Sequence, residues 1–151
     1  MFCYQCEQTV KGTGCTKVGV CGKDEETSAL IDLLVHVSEN VSRYAHRARR
    51  FGKSSVEVDR YILETLFSTI TNVNFNPETL AELIKQGATH RENIKEICIE
   101  VCKDKRDKDR PTSPKAPDVE IPSELSEMIK VGQTLSVKNR IDEFGPDVSG
   151  L

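Results

Sequence analysis

Four of the chain's six cysteines, Cys3, Cys6, Cys15 and Cys21, fall within the first 21 residues. The stretch that carries them, MFCYQCEQTVKGTGCTKVGVCGK, shows neither the two-residue period of a strand nor the 3.6-residue period of a helix. Four of the nine glycines (Gly12, Gly14, Gly19 and Gly22) sit in the same 23 residues. It is a loop segment, and what organises it is whatever the four sulfurs grip.

The ligand spacing is Cys3-x2-Cys6-x8-Cys15-x5-Cys21. Two cysteines separated by two residues bring both sulfurs to one metal centre, because the intervening turn points them the same way. Four thiolates suit either a structural zinc ion or an iron–sulfur cluster. Zinc knuckles usually keep about two to four residues between paired ligands, whereas Cys15 and Cys21 are separated by five. The wider, irregular spacing favours a cluster, whose ligands attach at well-separated irons. Glycines let backbone N–H groups approach sulfur and support negative charge. Lys11, Lys17 and Lys23 stand against Glu7 alone, the right sign for an anionic centre. Phe2, Tyr4, Val10, Val18 and Val20 are the side chains available to shield it from water. Zinc, disulfides and free thiols remain open on chemistry alone.

From about Glu25 the pattern becomes helical. Leu30, Leu34, Val37, Val41, Tyr44, Ala48 and Phe51 recur at spacings of four and three, and Gly52 ends the run. Ser54-Ser55-Val56-Glu57 has the Ser-x-x-Glu form of a capping box. It predicts a second helix with an apolar face of Val58, Ile62, Leu66 and Ile70. A loop over 72–75 leads to Asn76-Pro77, a capping side chain followed by a residue with no amide hydrogen to leave unpaired. The third helix carries Leu80, Leu83, Ile84, Ile94, Ile97, Cys98 and Val101, and is expected to run unbroken through Gly87. The stretch KDKRDKDRPTSPKAPDVEIP then has dense mixed charge and four of the six prolines, the composition of a solvated linker. Ser123 is placed to cap a short helix to about Val131, and the last fifteen residues show no core-forming pattern. The expected fold is all-α: a cysteine loop (1–23) on an up-down three-helix bundle (24–103), a linker (104–122), and a short helix with a tail (123–151).

Composition excludes several function classes. Lys and Arg total 21 against 24 Asp and Glu, a net charge of −3, which removes the usual electrostatic case for nucleic acid or an acidic membrane surface. No apolar run approaches the roughly 20 residues that span a bilayer. The N-terminus runs straight into cysteines with no signal-like segment before them, so a reducing, cytoplasmic setting is expected, where clustered cysteines point to metal more than to disulfides. There is no Ser/His/Asp arrangement, no phosphate-cradling glycine loop and no His-Glu metal motif. Cys98 and Cys102 share a helix face with Ile94, Ile97 and Val101 and read as small buried hydrophobes. His36 and His46 are ten apart, roughly 80° off a shared face. Like His90, they read as surface or packing residues. Arg43, Arg47, Arg49 and Arg50 form a basic helix end, solvated and matched to the helix dipole.

The opening FCYQCEQT, the glycine-flanked Cys15 and GVCGK closely resemble the N-terminus of the hybrid cluster protein family, also called prismane protein or hydroxylamine reductase. LIDLLVHVSENVSRYAHRAR and LFSTITNVNFNPETLAELI resemble its first helical bundle more loosely. The likeness fades in the linker and resumes faintly at FGPDVSGL. It implies that Cys3, Cys6, Cys15 and Cys21 ligate a proximal cubane cluster of the 4Fe-4S type, fed by a soluble electron donor. It also implies reduction of hydroxylamine to ammonia, and possible nitric oxide reduction in nitrosative stress. That chemistry would occur at a second, hybrid iron–sulfur–oxygen cluster whose His, Glu and Cys ligands lie in downstream catalytic domains.

Here the chain departs from the family, whose full-length members are several times longer. None of the hybrid-cluster ligands can be placed, and Cys98 and Cys102 do not match them. The expectation is an N-terminal portion without catalytic residues of its own, inactive alone. The rival readings are a structural zinc-binding helical interaction domain and a free-standing ferredoxin-like electron carrier.

Overall fold

The computed structural model describes residues 3, 6, 14–70, 75–104 and 119–145, with no side-chain description at 103 and 104. Most of the expected linker, the loop at 71–74, the end of the tail and much of the cysteine segment lie outside the described residues. Five helices follow in order: α1 (Glu25–Arg50), α2 (Val56–Ile70), α3 (Pro77–Asp104), α4 (Leu125–Thr134) and α5 (Val137–Phe144). The described part is all-α, as the periodicity predicts.

Helix α1 is the central element. Its Asp24 cap accepts a 2.7 Å hydrogen bond from the Thr27 N–H, and the Thr27 side chain first, with that N–H beside it, holds the Asp24 carboxyl below its ordinary range. Glu25 and Glu26 in the first turn and Arg47, Arg49 and Arg50 in the last match the helix dipole at both ends. The helix stops where Gly52 takes φ +83°, a left-handed conformation that a Cβ would strain. There its N–H donates to the Arg49 carbonyl at 2.9 Å. The predicted face is the buried one: Leu30, Leu34, Val37, Val41, Tyr44 and Ala48 are all shielded.

Two cores lie along this helix. Toward its N-terminus, Leu30, Ile31, Leu33, Leu34 and Val37 pack with Leu80, Ala81 and Ile84 of α3 and Met128 of α4. Toward its C-terminus, Val41, Tyr44, Ala45 and Ala48 meet Val58 and Tyr61 of α2, and Ile94, Cys98 and Cys102 of α3. Full burial of a Leu or Ile here contributes roughly 1.5–3 kcal/mol. Helix α4 is therefore a working member of the bundle as well as the short helix expected after the linker. At Gly132 an added Cβ would fall 2.0 Å from the Ala29 carbonyl oxygen, so only glycine lets α4 seat on α1. Arg91 ties the returning chain to α3 by donating to the Val119 carbonyl at 3.1 Å.

Helix α3 runs unbroken through Gly87, and its cap is the one expected: Asn76 Oδ1 accepts from the Thr79 N–H at 2.8 Å. Other boundaries differ by a residue. The cap of α2 is Ser55, whose Oγ accepts from the Val58 N–H at 3.4 Å, not Ser54. Helix α4 starts after Glu124, with no side-chain cap, so Ser123 does not serve. Helix α5, in the tail that lacks a core pattern, forms behind a Ser136 cap and buries none of its residues.

The largest departure is the face of α2. Of Val58, Ile62, Leu66 and Ile70, only Val58 is fully buried; Leu66 and Ile70 are 41% and 74% exposed. The inward residues are Val58, Tyr61, Thr65 and Thr69. The three hydroxyls of Tyr61, Thr65 and Thr69 enter the interior because each finds a partner: Tyr61 donates to the Leu83 carbonyl at 3.1 Å, and Thr65 accepts from Ser38 at 2.8 Å while donating to the Tyr61 carbonyl at 2.9 Å. Thr69 donates to the Leu66 carbonyl at 2.9 Å. A satisfied hydroxyl loses the penalty that normally keeps it outside.

Candidate metal centre

The cysteine loop is built against the start of α1. The Gly22 N–H donates to the Gly19 carbonyl at 2.8 Å and the Gly19 N–H donates to the Lys23 carbonyl at 2.7 Å, closing a tight turn around Cys21. Gly22 makes the turn at φ +93°. At Gly19 a Cβ would lie 2.9 Å from the Lys23 carbonyl oxygen and 3.2 Å from Cys21 Sγ, so the space beside that sulfur exists only because the residue is glycine.

The backbones of Cys3 and Cys15 pair in an isolated antiparallel bridge. Directly opposed residues of that kind hold their Cα atoms about 4.5–5.5 Å apart, so the first and third cysteines of the motif are neighbours although eleven residues lie between them. All four cysteines are free thiols; Cys6 and Cys21 are exposed, Cys3 and Cys15 half-buried. Among the described residues no three His, Cys, Asp or Glu side chains stand close enough to hold one metal ion. Val18 and Val20, expected as shields, are 64% and 86% exposed. Phe2, Tyr4, Val10 and Lys11 lie outside the described residues.

Sequence reasoning placed Lys17 and Lys23 in the loop as supporting charge, and the two differ sharply. Lys17 is exposed. Lys23, two residues after Cys21, is 1% exposed, with its Nζ 5.9 Å from the centre of the Phe75 ring. Its charge bears on Asp32, a carboxyl that burial pushes up to about 7 and the Lys23 ammonium pulls down. Asp32 escaped the sequence reading. Its signal was a lone carboxylate inside the run Leu30-Ile31-Asp32-Leu33-Leu34, where every neighbour is apolar. With His36, Glu39 and Arg43 of α1 and Arg140 and Glu143 of α5 it lines a cleft of about 510 Å³.

Of the remaining candidates, Cys98, Cys102 and His90 are packing residues, whereas His46 is exposed. Cys98 and Cys102 sit in the second core with sulfurs 4.0 Å apart. Burial, with Cys102 alongside, pushes the Cys98 thiol up to about 11, so it stays protonated and unreactive. His90 stacks against Tyr61, ring centres 4.9 Å apart. The basic helix end is largely solvated, as expected: Arg43, Arg49 and Arg50 are exposed and Arg49 pairs with Asp59 at 2.6 Å on the surface, while Arg47 turns inward and donates through Nε to Cys102 Sγ at 3.2 Å. Among the described residues no helix is long and apolar enough to cross a membrane.

Known proteins resemble this chain in sequence. The chain is 37% identical over its whole length to a hydroxylamine reductase of Rhodospirillum rubrum, of which it covers 27%. It is 36% identical over 99% of its length to the hydroxylamine reductase of Acidithiobacillus ferrooxidans, covering 28%. Over 62% of the chain it is 51% identical to that of Kosmotoga olearia, covering 17%. The chain thus spans about a quarter, or less, of the length of the curated relatives it matches, at their N-terminal portion. The model of the Prismane/CO dehydrogenase family matches residues 1–145, and the chain belongs to that family.

Proposed function

We propose that this chain is the electron-entry portion of a hydroxylamine reductase-type oxidoreductase, with Cys3, Cys6, Cys15 and Cys21 as the four thiolate ligands of a 4Fe-4S cluster. The observation that carries the reading is the motif itself: four free cysteines on a glycine loop, in a chain that matches relatives named hydroxylamine reductase along its whole length. The donor set fits the group, since four thiols without disulfides are what a cubane needs. The cradle fits as well, because a Cβ at Gly19 would crowd Cys21 Sγ.

Such a cluster supplies a one-electron carrier. The chain's own residues bind and tune it. The thiolates anchor it, the Cys3–Cys15 bridge sets the separation of two ligands, and the buried Lys23 offsets anionic charge from the protein side. The electron would arrive from a soluble donor protein in the cytoplasm and leave toward catalytic domains of the longer protein. There hydroxylamine is reduced to ammonia, with nitric oxide as a second candidate substrate. No residue of this chain is assigned to that step, and the chain alone is inactive.

A redox titration tests this reading. After anaerobic loading with iron and sulfide, the chain should bleach and recover its visible absorbance reversibly in a one-electron step. It should not consume hydroxylamine with a reduced viologen as donor. Failure to take up an electron reversibly, or turnover by the chain alone, would overturn it.

A further inference from the structure

Among the described residues eight large hydrophobic side chains are exposed, and five of them lie on α2: Val56 at 74%, Leu63 at 69%, Leu66 at 41%, Phe67 at 64% and Ile70 at 74%. Val56, Leu63 and Ile70 are seven residues apart, and Leu66 and Phe67 fall between them on the same side. Seven residues advance a helix by two turns less roughly 20°, so the five make one stripe down a single face. The opposite face carries the buried Val58, Tyr61, Thr65 and Thr69. The helix has thus turned its hydroxyl-bearing side to its own core and its aliphatic side to water. On hydrophobic grounds that is backward unless something covers the aliphatic side. Beside the stripe, Leu63 and Ile62 also line an open cleft of about 400 Å³ against Ser42, Ala45 and His46 of α1, with the Arg49–Asp59 pair at its edge.

We infer that the α2 stripe and its flanking cleft are the seat on which the remainder of the longer protein packs, an apolar surface borne by the same polypeptide. This rests on the electron-entry reading and adds the docking face to it. Two observations choose this occupant over a second copy. Nearly three quarters of the Rhodospirillum rubrum relative lies outside the part this chain matches, so a large partner is tethered to the same module there. The stripe is also one helix face: five such side chains bury on the order of 500 Å² per side, about 1,000 Å² in total and just below the roughly 1,200–2,000 Å² total of stable free complexes. A contact that small holds when tethering raises the effective concentration to about the millimolar range, and not between separate molecules. The heptad-like spacing suits an apolar helix laid along α2.

Hydrogen exchange tests this directly. The chain is compared alone and as a replacement for the matched portion of the Rhodospirillum rubrum protein, followed by that protein's own remainder. Amides of α2 should exchange at least tenfold more slowly in the joined protein. Leu63→Glu with Ile70→Glu should abolish that slowing, while leaving the isolated chain's helix content and melting unchanged, because both side chains are already in water there. The milder Leu63→Ala with Ile70→Ala should reduce it, and Phe144→Glu, on α5, should leave it intact. Equal exchange of α2 in the two proteins, or slowing that survives the double Glu variant, would overturn the proposal. So would concentration-dependent dimerisation of the isolated chain abolished by the same variant, which would make a second copy the occupant. The electron-entry reading stands or falls separately, on the reversible reduction of the loaded chain.

Discussion

Gly87 is a position where the packing leaves almost no room for a side chain. It lies mid-way along α3, where an added Cβ would sit 2.1 Å from Tyr61 Oη, 2.8 Å from Tyr61 Cζ and 2.4 Å from Val37 Cγ1. Alanine in place of an exposed mid-helix glycine would stabilise by about 1 kcal/mol through propensity. Here the overlap decides the sign. Tyr61 is 2% exposed, its hydroxyl donates to the Leu83 carbonyl, and its ring lies against His90, so it has no empty space to enter. Forcing it aside costs about 1–3 kcal/mol in overpacking, plus about 1 kcal/mol for the lost hydrogen bond. Set against the propensity gain, Gly87→Ala should destabilise by a net of roughly 1–3 kcal/mol. Urea unfolding followed by circular dichroism measures it. Coupling to Tyr61→Phe checks the mechanism, since removing the hydroxyl should relieve part of the loss. A Gly87→Ala variant as stable as wild type, or more so, would refute the reasoning that α3 needs a bare backbone to reach α1 and α2.

Other outcomes follow from the same structure. Folded Asp32 holds its proton up to about 7, against an ordinary 3.8. Between those values the native state binds more protons, so Asp32's contribution is complete at low pH and lost as pH rises through about 7. Asp32→Asn should therefore gain on wild type by on the order of 2–4 kcal/mol between pH 4 and 8; a difference that does not change over that range would show the carboxyl to be ordinary. Lys23→Met should lower the midpoint potential of the proposed cluster by tens of millivolts, because a buried cation beside the loop favours the more negative, reduced form, and Lys23→Arg should restore it. An unchanged potential in Lys23→Met would mean that the ammonium is too well screened to act. Cys98→Ala should cost about 1–2 kcal/mol of stability from the vacated volume while leaving iron content untouched; loss of iron would make Cys98 a ligand.

How legible the molecule was in its sequence depends on what holds each part. The buried face of α1 could be read residue by residue because apolar side chains alone define it. The continuity of α3 could be read because no proline interrupts it, and Asn76-Pro77 marked its start. The inward face of α2 could not. Its Tyr61, Thr65 and Thr69 are buried by hydrogen bonds to Leu83, Ser38 and the helix's own carbonyls, partners that a hydrophobic period does not register. The aliphatic stripe, which in sequence has the period of a buried face, is the exposed surface proposed to seat the remainder of the longer protein. Helix α5 buries nothing, so it leaves no apolar pattern to find. In the loop, the four cysteines and their spacing are a pattern the sequence displays and on which the proposed metal site rests, whereas the burial of Lys23 and its influence on Asp32 are tertiary effects that no sequence pattern carries.

The measurement that bears most directly on the central claim is metal and sulfide analysis of the chain after anaerobic loading, compared with Cys3→Ser, Cys6→Ser, Cys15→Ser and Cys21→Ser. The account predicts about four iron and four sulfide per wild-type chain, a broad visible absorbance, and loss of most of both in each of the four variants. Tight stoichiometric zinc with no sulfide, or full iron content after removal of any one of these cysteines, would contradict it.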